Sequence, residues 1–359
     1  MGRVKRFRCL LALALCAPGM PTGLTAQAVW EIRSTGDVTI GDLDGPPETR
    51  FDRVRSVHVV ADGKILVADR GSNEVRVFQS DGRHGFSTGR EGEGPGEFIA
   101  LEHATPYRGD SLAAFDFRTQ RITIFDRDGE LGRTHPFGMP PGIDARAVPW
   151  GSTEDGGWVV AWNAAAGQPG VVSRSSLSMW RHDAIGAPGS PGGAYPGRES
   201  ARSVDGAMAL DLVLPWGLQT IGAWRGTIGA VGDNGAGTVS VWADDVTRVV
   251  TLPWAPEEFS ESVLDGYIDQ QASRVPAAMR DRIDAMFRMV ATPDVLPRFD
   301  RIFIAGDEAI WIRRLLTPGR DREEWAVYSS GGVHLAVVEG VLLGDFDVEY
   351  VQVRSLVRG

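Results

Sequence analysis

Short apolar runs broken by turn residues dominate the chain from about residue 50 onward. Ile65-Leu-Val-Ala68 is a continuous apolar run that stops at Asp69. Val75-Arg-Val-Phe78 then alternates, and Asp81-Gly82 follows. A buried run, an alternating run and an Asp-Gly turn predict antiparallel strands joined by hairpins. The unit Asp69 to Gly82 returns as Asp116 to Gly129, with Phe78 matched by Phe125, so both landmarks shift by 47 residues. A fixed period of this length predicts an array or a ring of similar sheets.

Weaker copies continue the series. Gly157-Trp-Val-Val-Ala-Trp162-Asn163 and Leu177 to Ala184 make a third unit after a Gly-rich insertion. Gly226 to Asp233 with Val239 to Trp242 make a fourth, and Gly306 to Arg313 with Trp325 to Gly332 a fifth. Glu349 to Leu356 is a last strand with little in front of it. The fold class expected is all-β, a six-bladed β-propeller with an incomplete sixth blade, because radial closure hides the sheet edges that an open array would expose. Residues 29–40 are expected to supply the closing strand, within a propeller spanning 29–359.

One segment departs from the strand pattern. In 256–290, Phe259, Val263, Leu264, Tyr267 and Ile268 fall on one helical face. After Pro276, a second short helix carries Met279, Ile283, Met286, Phe287 and Val290. A helical insertion between the fourth and fifth blades, covering one rim of the ring, accounts for both.

Residues 1–28 read as a signal peptide: Arg3, Lys5, Arg6 and Arg8, then the apolar core Cys9 to Ala17, then Ala26-Gln27-Ala28. Leu15 before Cys16 argues against lipoprotein anchoring through Cys16. An exported protein, periplasmic or extracellular, is expected, with no membrane span. Cleavage would remove both cysteines and four positive charges, taking the net charge from −10 to −14. Such a balance excludes the basic face that nucleic-acid binding needs.

The stretch Phe51 to Gly82 resembles an NHL-type repeat, and Gly89-Arg-Glu-Gly-Glu-Gly-Pro-Gly-Glu-Phe98 looks like that family's blade-to-blade connector. Pro297 to Ile304 and Asp347 to Val351 are similar to its fifth-blade and C-terminal segments. Together they resemble the secreted six-bladed propellers of bacteria. That resemblance implies either a binding scaffold or a lyase or lactonase-like hydrolase with a metal near the central channel.

Candidate chemistry is sparse. There is no HExxH helix, no GxSxG elbow and no phosphate loop. Asp126-Arg-Asp128-Gly129 is too short for a calcium loop and reads as a turn. The six histidines, His58, His84, His103, His135, His182 and His334, read as scattered strand or surface residues. Aligning the units makes Arg55 equivalent to Glu102, next to His103; with Arg146 and Arg298 these are the candidates for lining the channel. Trp150 and Trp216, each beside Pro and Gly, are expected in loops, where an indole can stack on a ligand. The favoured reading is a non-catalytic, monomeric binding module for a protein, peptide or saccharide. No cofactor is expected; a channel metal such as calcium or zinc belongs to the enzyme alternative.

Overall fold

The computed structural model describes residues 29–32, 38–42, 44–60, 62–164, 172–205, 208–273, 275–341, 351–353 and 356–358. The signal-peptide segment and both cysteines lie outside the described residues. The first strands are β1 (Val29–Ile32) and β2 (Val38–Ile40). Blade 1 is β3 (Val54–Val59), β4 (Ile65–Asp69), β5 (Glu74–Phe78) and β6 (His84–Thr88). Blade 2 is β7 (Leu101–Pro106), β8 (Leu112–Asp116), β9 (Arg121–Phe125) and β10 (Leu131–Pro136). Blade 3 is β11 (Ala145–Thr153), β12 (Trp158–Ala164), β13 (Val172–His182) and β14 (Pro188–Asp205), extended by β15 (Met208–Val213). Blade 4 is β16 (Thr220–Gly226), β17 (Ile228–Asp233), β18 (Thr238–Ala243) and β19 (Val246–Thr251). Helices α1 (Glu261–Ala272) and α2 (Arg280–Arg288) come next. Blade 5 is β20 (Phe299–Ile304), β21 (Ile310–Arg314), β22 (Arg322–Tyr328) and β23 (His334–Val341), and the chain ends with β24 (Val351–Val353) and β25 (Leu356–Arg358).

Each blade pairs its strands in chain order, antiparallel. Burial falls from the second strand outward. All five residues of β4 and of β8 are buried, whereas β6 alternates between half-buried and exposed positions. This is the gradient expected when blades pack face to face on the apolar sides of their central strands. Leu66, Ala68, Val75 and Val77 of blade 1 meet Leu101, Ala104, Leu112 and Ala114 of blade 2 in one such interface. Blades 3 and 4 are joined further: Gly151, Ser152 and Thr153 of β11 pair in parallel with Trp224, Arg225 and Gly226 of β16, making one nine-stranded sheet.

The 47-residue period has a physical cause. Asp69 ends β4 and its carboxylate accepts the amides of Asp52 and Gly71 and the Ser72 hydroxyl, tying the turn to the connector that enters the blade. Asp116 does the same in blade 2, accepting the amides of Ile99, Ala100, Arg118 and Thr119 at 2.6–2.9 Å. Asn73 and Gln120 are both left-handed, at φ 55° and 56°, and both reach the next blade: Asn73 Oδ1 accepts from Leu101 N, and Gln120 Oε1 from Ala147 N. Asp126 accepts the amides of Asp128 and Glu130, so this segment is a hairpin turn.

The terminal clasp differs from a single closing strand over 29–40. It is two strands. β1 adds to β23 of blade 5 in parallel and takes β25 on its other side, while β2 pairs with β24. Val38 and Ile40 of β2 pack on Phe51, Val54, Ile65 and Phe78 of blade 1. The N-terminal segment therefore touches both sides of the ring's seam.

The two helices sit between blades 4 and 5. Ser260 caps α1 by accepting the Val263 amide. Leu264, Tyr267, Ile268 and Phe287 are buried with Leu214, Trp216, Leu296 and Leu315, so the insertion covers the rim where connectors enter blades 4 and 5. Met279 is 43% exposed and stands outside this face, because the chain there forms a short turn before α2 begins. Glu257 accepts from Arg314 and Arg320, and both arginines also bind Glu324, which fastens the insertion to blade 5. No helix among the described residues is long and apolar enough to cross a membrane.

Candidate functional site

The first strand of each blade lies innermost, and neighbouring first strands lie against one another, β3 against β7 and β16 against β20. Three of them carry a bulge at the same place. In β3 the register jumps between Val54 and Ser56, in β7 between Leu101 and His103, and in β20 between Phe299 and Arg301. The skipped residues are Arg55, Glu102 and Asp300. A bulge re-aims its side chain out of the pleat, so the fold turns a charged residue from each of three blades out of the sheet.

These charges are neutralised locally. Glu102 takes Arg55 of blade 1 on one oxygen and Arg70 on the other, the latter at 3.0 Å. Asp300 holds Arg313 at 2.8 Å, and Arg313 also binds Glu323 at 2.9 Å. Blade 3 carries its bulge later, between Pro149 and Gly151. Arg146 precedes the buried Ala147 and sits over Phe117, its Cζ 5.4 Å from the ring centre, instead of joining Arg55 and Glu102. Arg298 is also displaced. It donates to the Trp254 carbonyl at 2.8 Å, beside Glu257 and Arg314 in a small pocket under the insertion. The expected channel set is thus divided: Arg55, Glu102 and His103 come together on blades 1 and 2, and Arg146 and Arg298 do not join them.

The two tryptophans, both expected in loops, are placed differently. Trp216 does lie in a turn, but it is 1% exposed, enclosed by Phe259, Tyr267 and Phe287 of the insertion. Trp150 is in strand β11, packed on Gly222 and edge-on to Tyr195, with only part of its surface free.

Two imidazoles meet on adjacent inner strands; alignment of the repeats finds His103 and misses His58. His58 of β3 meets His103 of β7 edge to face, ring centres 5.4 Å apart. Burial, the His103 ring and the Arg225 guanidinium lower the His58 pKa to about 3; burial lowers that of His103 to about 4. Both side chains are nevertheless only half-buried by surface area. Dense protein around a water-reachable ring is what an axial channel produces. Arg225 belongs to β16 of blade 4. Beside this pair, the Ser56 hydroxyl is fully used, donating to Ala104 O at 3.0 Å and accepting from Ala104 N at 2.9 Å.

The chemistry available follows directly. At neutral pH both imidazoles are uncharged, each with one N–H donor and one lone pair. A base with a pKa of 3 to 4 is too weak for general base work near pH 7. Two imidazoles also fall short of the three protein ligands that a catalytic zinc takes, and no group of three or more metal-ligating residues occurs among the described residues. This donor pair does not fit a resident metal. What the pair offers is N–H donors and lone pairs on two adjacent, uncharged rings.

The chain can now be set beside known proteins. A sequence-family profile described as a 6-bladed beta-propeller matches residues 37–140, covering β2 and blades 1 and 2. No curated protein matches. Among solved structures, a putative exported protein from Bacteroides fragilis shares 11% identity at a TM-score of 0.43, over 87% of this chain and 79% of that one. A member of a family of unknown function from Bacteroides vulgatus shares 10% at 0.49, over 93% of this chain and 100% of that one. Virginiamycin B lyase from Staphylococcus aureus shares 10% at 0.35, over 86% and 74%.

Proposed function

For this chain, a β-propeller of the six-bladed kind, we propose an exported binding module that holds a small polar ligand at the ring axis without transforming it. The reading is supported by one observation above the others: His58 and His103 meet edge to face, ring centres 5.4 Å apart, on adjacent inner strands, and burial lowers the pKa of both. A binding site profits from neutral donors that need no proton; a hydrolase or lyase would need a stronger base or a metal. Export follows from the N-terminal segment, with its basic start, apolar core and small-residue cleavage pattern.

The test is a thermal-shift and calorimetric screen of purified protein against small carboxylates, phosphate, saccharides and short peptides, run beside assays for ester, lactone and lyase turnover. Saturable binding that shifts the His58 and His103 resonances without turnover supports the reading. Turnover, or binding that leaves both imidazoles unmoved, overturns it. Export is tested separately, by fractionating expressing cells and sequencing the mature N-terminus; a start at Val29 in the exported fraction is expected.

A further inference from the structure

The helical insertion leaves the ring at 254–257 and returns at 296–298. Its two stems are tied where the Leu296 amide donates to the Glu257 carbonyl at 2.8 Å. Between these stems and the end of β21 lies a pocket of about 210 Å³, its open mouth included. Leu296, Pro297 and Leu315 give it apolar walls, and Glu257, Arg298 and Arg314 polar ones.

Charge around the pocket does not balance. Arg314 and Arg320 share Glu257 and Glu324, two cations on two anions. Arg298 has no carboxylate partner among the described residues. The side-chain hydrogen bond it makes there runs from Nη1 to the Trp254 carbonyl, at 2.8 Å, which leaves its Nε and Nη2 donors over. Glu257 takes both of its arginines on Oε2, at 3.2 and 2.8 Å, and no described residue bonds its Oε1. Trp254, which also lines the pocket, keeps a buried indole N–H with no hydrogen-bond partner among the described residues. One pocket therefore joins an uncompensated guanidinium, a spare carboxylate oxygen and apolar walls.

We propose that this pocket binds a small organic carboxylate with a hydroxyl or amino group on the adjacent carbon. The carboxylate takes the spare Arg298 donors, which a guanidinium presents at the spacing of two carboxylate oxygens. The hydroxyl or amino group donates to Glu257 Oε1, and the short alkyl part lies on Leu296 and Leu315. Size sets the limit. Pockets for drug-sized ligands run to roughly 300–1,000 Å³, so one of about 210 Å³ admits only an acid of a few carbons. The bound acid supplies the charge that Arg298 lacks, and it joins the outgoing stem at Glu257 to the returning stem at Arg298. This site uses neither imidazole of the axial pair, and neither proposal depends on the other.

The experiment is calorimetric titration of the purified protein with lactate and with alanine, beside acetate and lactamide. NMR follows the Trp254 indole and the imidazoles of His58 and His103 in parallel. Lactate or alanine is expected to bind saturably and to move the Trp254 indole resonance, with His58 and His103 unmoved. Acetate lacks the second donor and lactamide lacks the charge, so each should bind at least about tenfold more weakly. In Arg298→Gln the affinity for the acid should fall by at least about tenfold as well. The proposal is overturned by unchanged affinity in Arg298→Gln, by acetate or lactamide binding as tightly as the acid, or by an acid that moves the imidazoles and leaves Trp254 unmoved. It is also overturned if neither lactate nor alanine binds wild type saturably, a result that decides even where the variant fails to fold.

Discussion

Asp69 and Asp116 occupy the same place in successive blades, 47 residues apart, and their pKa values are shifted in opposite directions. Burial pushes both upward. In Asp69 burial wins over Arg76 and the Ser72 hydroxyl, and the pKa is raised. In Asp116 the amides of Ala100, Thr119 and Ile99 outweigh burial, and the pKa is lowered. Connectors held by two amides at 3.2 Å and by four at 2.6–2.9 Å explain the difference.

Opposite signs give opposite pH dependences. Asp116, with a depressed pKa, contributes stability above its unfolded value and loses it as pH falls through the folded one. Asp69, with a raised pKa, contributes stability below its unfolded value and loses it as pH rises through the folded one. Asp116→Asn should therefore cost about 1–2 kcal/mol at neutral pH, with the gap to wild type narrowing in acid. For Asp69→Asn the gap should widen in acid. Urea denaturation from pH 3 to 7 reads both; gaps moving in the same direction would refute the assignment.

The axial histidines predict an acid weakness. Their folded pKa values, about 3 and about 4, lie below the ordinary 6.5. Between pH 6.5 and 4 the unfolded chain binds more protons, so stability falls as pH drops through that window. His58→Gln with His103→Gln should flatten the curve of melting temperature against pH there. An unchanged slope would mean these rings carry no linkage.

Glu102 neutralises two arginines from blade 1. Its conversion to Gln removes the carboxylate that Arg55 and Arg70 share. A loss of roughly 1 kcal/mol is expected, given the partial exposure of all three groups. Added salt should reduce the loss by screening the two arginines. A salt-independent effect would point to packing instead.

Trp216 holds the insertion to the ring. Trp216→Ala removes a buried indole that touches Phe259, Tyr267 and Phe287, at a cost of about 3–5 kcal/mol. Limited proteolysis should then cut within 256–298 before any blade is cleaved. Early cleavage elsewhere would show that the indole supports the ring and not the helices.

Blades 1 and 2 are legible because their apolar runs, Asp anchors and Asp-Gly turns keep one period, and because Asn73 and Gln120 make equivalent reaches at that period. Blade 3 blurs because β13 and β14 run to 11 and 18 residues and carry a Gly- and Pro-rich outer edge. The axial site was legible only in part. Arg55 and Glu102 align, since the bulge recurs in both blades. His58 does not, because its counterpart one period on is Thr105, and it meets His103 only through the sideways contact of adjacent inner strands. Trp216 was rightly read as a turn residue; its burial depends on helices 45 to 72 residues downstream, which local sequence cannot reveal.

β1 lies between β23 and β25, and β2 waits for β24. Among the described residues, β1 and β2 thus have no strand partner until residues 334–358 have been made. A nascent or clipped chain that lacks 334–358 carries exposed strand edges over 29–40 for the whole interval. Closure is in effect a check on that distant segment: the strands within 29–40 are covered only once it is present.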